Sequence, residues 1–123
     1  MNVALWIAQG LIAAAFLLGG LAKAIQPREK LAGNMPWVQD FSNGQVKAIG
    51  TVEALAAIGL ILPAVTGILP VLTPLAAAGL VITMIAAAVV HARRGEYPGI
   101  AVNVVLLVLA AFVAWGRFGP YAF

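Results

Sequence analysis

The sequence predicts an all-α integral membrane protein, an antiparallel four-helix bundle forming one domain over residues 1–123. Three observations predict it. Hydrophobic residues make up 63% of the chain and charged residues 9%, with a mean hydropathy of +1.05, whereas a soluble domain carries about 25% charge to face water. The apolar residues gather into four runs close to the ~20 residues that cross a bilayer as a helix. Those runs are rich in Ala and Leu and lack period-two alternation, which sets strands aside.

The first span covers residues 3–22 and is interrupted only by Gln9. No basic region precedes it, so it reads as a span rather than a cleaved signal. The second covers 46–65, contains Glu53 and carries Pro63 near its end. The third covers 71–90, with Pro74 in the first turn, where a missing N–H leaves no bond unmade. The fourth, 99–115, is the shortest and contains Asn103. Short connections make each helix antiparallel to the next.

The connection 25–45 is the exception in length. Pro27, Gly33, Asn34, Pro36, Ser42, Asn43 and Gly44 forbid one continuous helix there. Met35, Trp37, Val38 and Phe41 would be wasted in water, so the segment is expected along the membrane surface or over the bundle mouth, with Trp37 at headgroup level. Trp6, Trp115, Tyr121 and Phe123 form the expected aromatic belt of the opposite face.

The formal net charge is +3. The basic residues sit in short loops without an aromatic-flanked stripe, which excludes a nucleic-acid partner. Six of the seven, Lys23, Arg28, Lys30, Lys47, Arg93 and Arg94, border the first and third connections, and only Arg117 stands at the other face. That bias predicts loops 23–47 and 91–98 in the cytoplasm and both termini on the opposite side of a plasma membrane. With no Cys in the chain, thiolate metal sites and thiol redox chemistry are excluded. One His with one Glu makes no metal site either.

In lipid, helices associate through small residues. Gly10 with Ala14, Gly19 with Gly20, Gly50 with Ala54, Ala76 to Gly79 and Ala86 to Ala88 supply them. Such patches serve contacts within one chain or in a homo-oligomer equally well.

Lys23, Glu53, His91 and Asn103 carry the chemistry. A carboxylate inside a span costs several kcal/mol unless it faces the bundle interior and a partner. At about 1.5 Å per residue, Glu53 lies ~9 Å below Lys47. Asn103 lies at a similar depth from the start of its own span, while His91 and Lys23 close theirs. Four helices therefore bring four polar groups to one half of the bundle. Each also has a structural reading: a Glu53 ion pair with Lys23 or His91, a snorkelling Lys23, an interfacial His91, and an interhelical hydrogen bond for Asn103. Gln9, in the other half, receives no role.

With these residues laid out, the chain resembles the DoxX-like family of small four-helix membrane proteins. The matching pieces are Gly19-Gly20-Leu21-Ala22-Lys23, the run from Ile49 through Glu53 to Pro63, and Met84 to His91 followed by Arg94-Gly95-Glu96. A fourth apolar helix ending at Arg117 completes the match. The resemblance implies Lys23, Glu53 and His91 as site residues. It also implies a place beside membrane oxidoreductases that work at a quinone pool, including thiosulfate–quinone systems. The expected function is a binding or accessory subunit that holds a quinone or similar lipid-like cofactor between Lys23, Glu53, His91 and Asn103, with membrane lipid and a membrane or cytoplasmic redox protein as partners. Two alternatives stand beside it: an enzyme using Glu53 and His91 as an acid–base pair, and a small oligomeric transporter or channel.

Overall fold

The computed structural model describes residues 2–26 and 41–122. Among them are four helices, α1 (Asn2–Ile25), α2 (Asn43–Thr66), α3 (Leu72–Arg93) and α4 (Tyr97–Phe118), and no strand. Their lengths of 22 to 24 residues give axes of roughly 33–36 Å, enough to cross the ~30 Å hydrocarbon layer. All four are apolar enough to do so. Each runs past the expected span: Lys23, Arg93 and Arg117 continue their helices, and Asn43 to Gln45 begin α2. Trp37 and most of the 25–45 connection lie outside the described residues.

Local chemistry sets the ends. Ser42 caps α2 through a reciprocal box: its Oγ accepts from Gln45 N at 3.1 Å, and Gln45 Oε1 accepts from Ser42 N at 2.8 Å. Gly67, at φ 73°, closes the same helix in the left-handed conformation. Lys47 Nζ donates to the Ala24 carbonyl at 3.2 Å and so covers a free acceptor at the end of α1.

The helices form a ring in which α1 packs most closely on α2, and α3 on α4; contacts between the two pairs are fewer. Small residues make the first pair. A Cβ on Gly50 would stand 2.5 Å from the Gly20 carbonyl oxygen, and one on Gly20 would stand 2.7 Å from Ala54 N. The backbones cross there in direct contact, as small residues allow in lipid. Gly10, Gly19 and Gly79 behave differently: a Cβ on any of them meets nothing within 4 Å, so those three do not pack helix against helix as their spacing suggested.

Between the pairs the core is made by Ile12, Phe16, Leu60, Leu80, Met84 and Val113. Outward-facing Val3, Leu18, Val52, Leu55 and Val105 are exposed, an apolar exterior that fits acyl chains.

Polar ties between the pairs lie at the end of the bundle that carries the chain termini and the α2–α3 turn. Pro63 lacks the N–H that would bond the Gly59 carbonyl four residues back. Thr73 Oγ1 donates to that carbonyl at 3.2 Å, and Gln9 Nε2 donates to the neighbouring Leu60 carbonyl at 2.9 Å. Gln9 Oε1 then accepts from Arg117 Nε at 2.7 Å, while Arg117 Nη1 donates to Asn2 Oδ1 and to the Tyr121 carbonyl. The Arg117 guanidinium stands 5.4 Å above the Trp6 ring, a cation–π distance. Gln9 is completely buried, and this network is its role. At the opposite end Lys23 bonds Glu53 and Lys47 bonds the Ala24 carbonyl within one pair, Glu96 bonds His91 and Arg94 within the other, and the pairs part.

Candidate functional site

Where the pairs part lies a cavity of about 650 Å³. Lys23 of α1, Glu53 of α2, His91 of α3 and Asn103 of α4 all line it, among apolar walls that include Phe16, Met84, Val90 and Leu106. Helical spacing explains the convergence. On α1, Phe16, Gly19 and Lys23 recur at three and four residues; on α3, Thr83, Ala87, Val90 and His91 do so; on α4, Val102, Asn103 and Leu106 do. Gly19 contributes space: its missing side chain widens the chamber.

The Lys23–Glu53 pair closes one wall. Lys23 Nζ lies 2.8 Å from Glu53 Oε1 and 3.2 Å from Oε2, with the Glu53 side chain 4% and the Lys23 side chain 13% exposed. The Gly20–Gly50 crossing brings α1 and α2 close enough for this contact. Such a contact gives the buried acid a partner away from lipid.

His91 has another partner. Its Nδ1 lies 3.0 Å from Glu96 Oε1 in the α3–α4 turn, and Glu96 Oε2 accepts from Arg94 Nε at 3.1 Å. Burial alone would raise the Glu96 carboxyl, but hydrogen bonds from Arg94 and His91, with the Arg94 charge, outweigh it and hold the group below its usual value of 4.5. Among the described residues His91 and Glu53 bond to Glu96 and Lys23 rather than to each other, and both line the cavity.

Asn103 is 7% exposed, and its side-chain amide nitrogen has no hydrogen-bond partner among the described residues. A buried donor left unmade costs about 1–3 kcal/mol. Asn103 therefore offers the cavity an unused donor rather than an interhelical bond.

The cavity opens sideways. Lining residues Ala15 of α1 and Val102 of α4 are exposed on one flank, and Ile82 and Ala86 of α3 on another. All four are apolar, so these mouths face hydrocarbon. Among the described residues no group of three His, Cys, Asp or Glu comes together.

Sequence reasoning missed two partners. Glu96 follows His91 by five residues in HARRGE, a local signal. Arg117 and Gln9 stand 108 residues apart, and no local pattern links them.

The profile of the DoxX-like family matches residues 7–113 of the chain, which takes in every residue of this chamber. The chain belongs to the DoxX-like family. No curated protein matches it, and no solved structure does.

Proposed function

We propose that this DoxX-like membrane protein is a binding or accessory subunit that holds an uncharged lipid-like ligand, an isoprenoid quinone or similar amphiphile, between its two helix pairs. The observation that carries the proposal is the buried, unpartnered Asn103 amide nitrogen on an otherwise apolar cavity. A polar group kept at that cost needs an acceptor from outside the chain, and a ligand carbonyl supplies one.

Size and charge support the same class. Small-molecule sites run to about 300–1,000 Å³, mostly apolar with a few convergent polar groups, and 650 Å³ falls inside that range. Lys23 and Glu53 cancel each other, as do Arg94 and Glu96, so the polar end selects a neutral head. The tail leaves through the lateral mouths into the bilayer. The excess of basic residues at this end supports a cytoplasmic orientation for it, where a membrane or cytoplasmic redox protein would meet it.

Titration of the detergent-purified chain with a short-chain quinone analogue tests this by calorimetry. Asn103→Leu removes one neutral hydrogen bond of about 1 kcal/mol, roughly fivefold in Kd. The same change removes an unsatisfied donor, so the ligand-free variant unfolds at a higher temperature than wild type. Unchanged affinity, or a ligand-free variant less stable than wild type, would assign Asn103 a purely structural role and remove the proposal's support.

A further inference from the structure

The α3–α4 turn fixes His91 in a way that ligand binding alone does not require. Gly99 lies directly against the imidazole: a Cβ there would stand 2.6 Å from Nδ1, so only glycine lets the first turn of α4 seat the ring. The Glu96 backbone N–H donates to the His91 carbonyl at 2.9 Å, and Gly95, at φ 70°, makes the turn that allows it. Glu96 Oε1 then takes up Nδ1, and Arg94 holds the other carboxylate oxygen. The second ring nitrogen, Nε2, has no hydrogen-bond partner among the described residues, and His91 lines the cavity.

We infer that His91 is the proton acceptor for a hydroxyl on the bound head group, that of a quinol or a hydroxyquinone, acting through Nε2, with Glu96 as its positioning carboxylate. The inference rests on the reading of the cavity as the site of a quinone-like ligand. An ionised Glu96 accepts the Nδ1 proton and so leaves the lone pair at Nε2. When the head's O–H bond breaks, its electron pair stays on oxygen and an N–H bond forms at Nε2. Glu96 faces the resulting imidazolium, the same logic by which a buried carboxylate supports the histidine of a hydrolytic triad. The other charged groups on the site fit this transfer. Lys23 of α1 and Glu53 of α2 engage each other, and Arg94 pairs with Glu96; Asn103 of α4 adds a neutral donor toward the head-group oxygen. Glu96 is thus the carboxylate that positions His91, while Glu53 is engaged by Lys23.

A 2-alkyl-3-hydroxy-1,4-naphthoquinone is a suitable probe, because its visible absorption changes when the hydroxyl ionises. Bound to the full chain in lipid nanodiscs, its hydroxyl is expected to titrate lower than in protein-free nanodiscs. Glu96→Gln should move that midpoint up by about one pH unit, within the range that a neighbouring charge commands. His91→Asn should abolish the difference, and Glu96→Asp should largely preserve it. His91 is the only histidine, so nitrogen NMR of the labelled ring gives a second readout free of the probe: Nδ1–H in the wild type, loss of that preference in Glu96→Gln. Equal midpoints for wild type and Glu96→Gln, both holding the probe, overturn the proton-acceptor role and leave the cavity reading standing. A wild-type chain that does not bind the probe overturns both.

Discussion

Gly50→Ala adds a single methyl at the α1–α2 crossing. A Cβ there would stand 2.5 Å from the Gly20 carbonyl oxygen, 2.5 Å from Lys23 Cβ and 2.7 Å from Ala24 N. Ordinary contact needs about 3.5 Å, so the helices must part by roughly 1 Å. Two of the three atoms are backbone and the third is anchored to it, so no flexible tip can swing aside. The cost belongs near the upper end of the 1–3 kcal/mol range for overpacking. Alanine returns about 1 kcal/mol of helix propensity, which leaves a net loss of ~2 kcal/mol. Gly10→Ala, in the same kind of helix with nothing within 4 Å, keeps only the gain. Reversible unfolding in mixed micelles, followed by circular dichroism, should separate the two variants by about 3 kcal/mol, with Gly50→Ala below wild type and Gly10→Ala above it. Equal stabilities would refute the backbone crossing. Gly50→Ala should also strain the Lys23–Glu53 contact, which spans the same two helices.

That contact has its own signature. Lys23→Met should destabilise the chain by about 3–5 kcal/mol because a buried carboxylate loses its partner, and Lys23→Met with Glu53→Gln together should recover most of the loss; a double variant as unstable as the single one would contradict the pairing. Gln9→Leu strips the Leu60 carbonyl and Arg117 Nε of a partner and should cost roughly 2–3 kcal/mol in the same unfolding assay, with ligand affinity unchanged because Gln9 lies at the other end of the bundle. The Glu96 carboxyl is held below its usual 4.5, so the turn's contribution is complete above that value and is lost as pH falls through the lower folded value. Hydrogen exchange at Gly95 and Glu96 should therefore gain protection as pH rises through the acid range after correction for intrinsic rates, and Glu96→Gln should erase the dependence.

The architecture was legible because composition alone decides the solvent, and a chain this apolar in lipid must satisfy its backbone within helices. Depth counting along each span brought Lys23, Glu53, His91 and Asn103 to one half of the bundle, and in the structure helical periodicity turns all four onto one chamber. Which groups bond was less legible. Glu53 had two candidate cations, and only the Gly20–Gly50 approach decides for Lys23, a distance no spacing rule encodes. Gln9 gave no signal because its partners are the Leu60 carbonyl in another helix and an arginine 108 residues away. The capping box Ser42-x-x-Gln45 was present in the letters, but it lay inside a segment read for its apolar residues. Gly19 stood among packing glycines by sequence; the structure gives it open space, which spacing alone cannot distinguish from contact.

Gly19 also gives the most direct measurement of the central claim that the chamber between the helix pairs holds a lipid-like ligand. A Cβ at this position meets nothing within 4 Å, and the residue lines the cavity, so Gly19→Leu fills the chamber without disturbing helix contacts and should be at least as stable as wild type. Native mass spectrometry of both proteins released from membranes should show a tightly held neutral adduct of isoprenoid mass on the wild type and a bare chain for Gly19→Leu. A wild type that carries no such adduct, or a Gly19→Leu variant that carries it equally, would contradict the account.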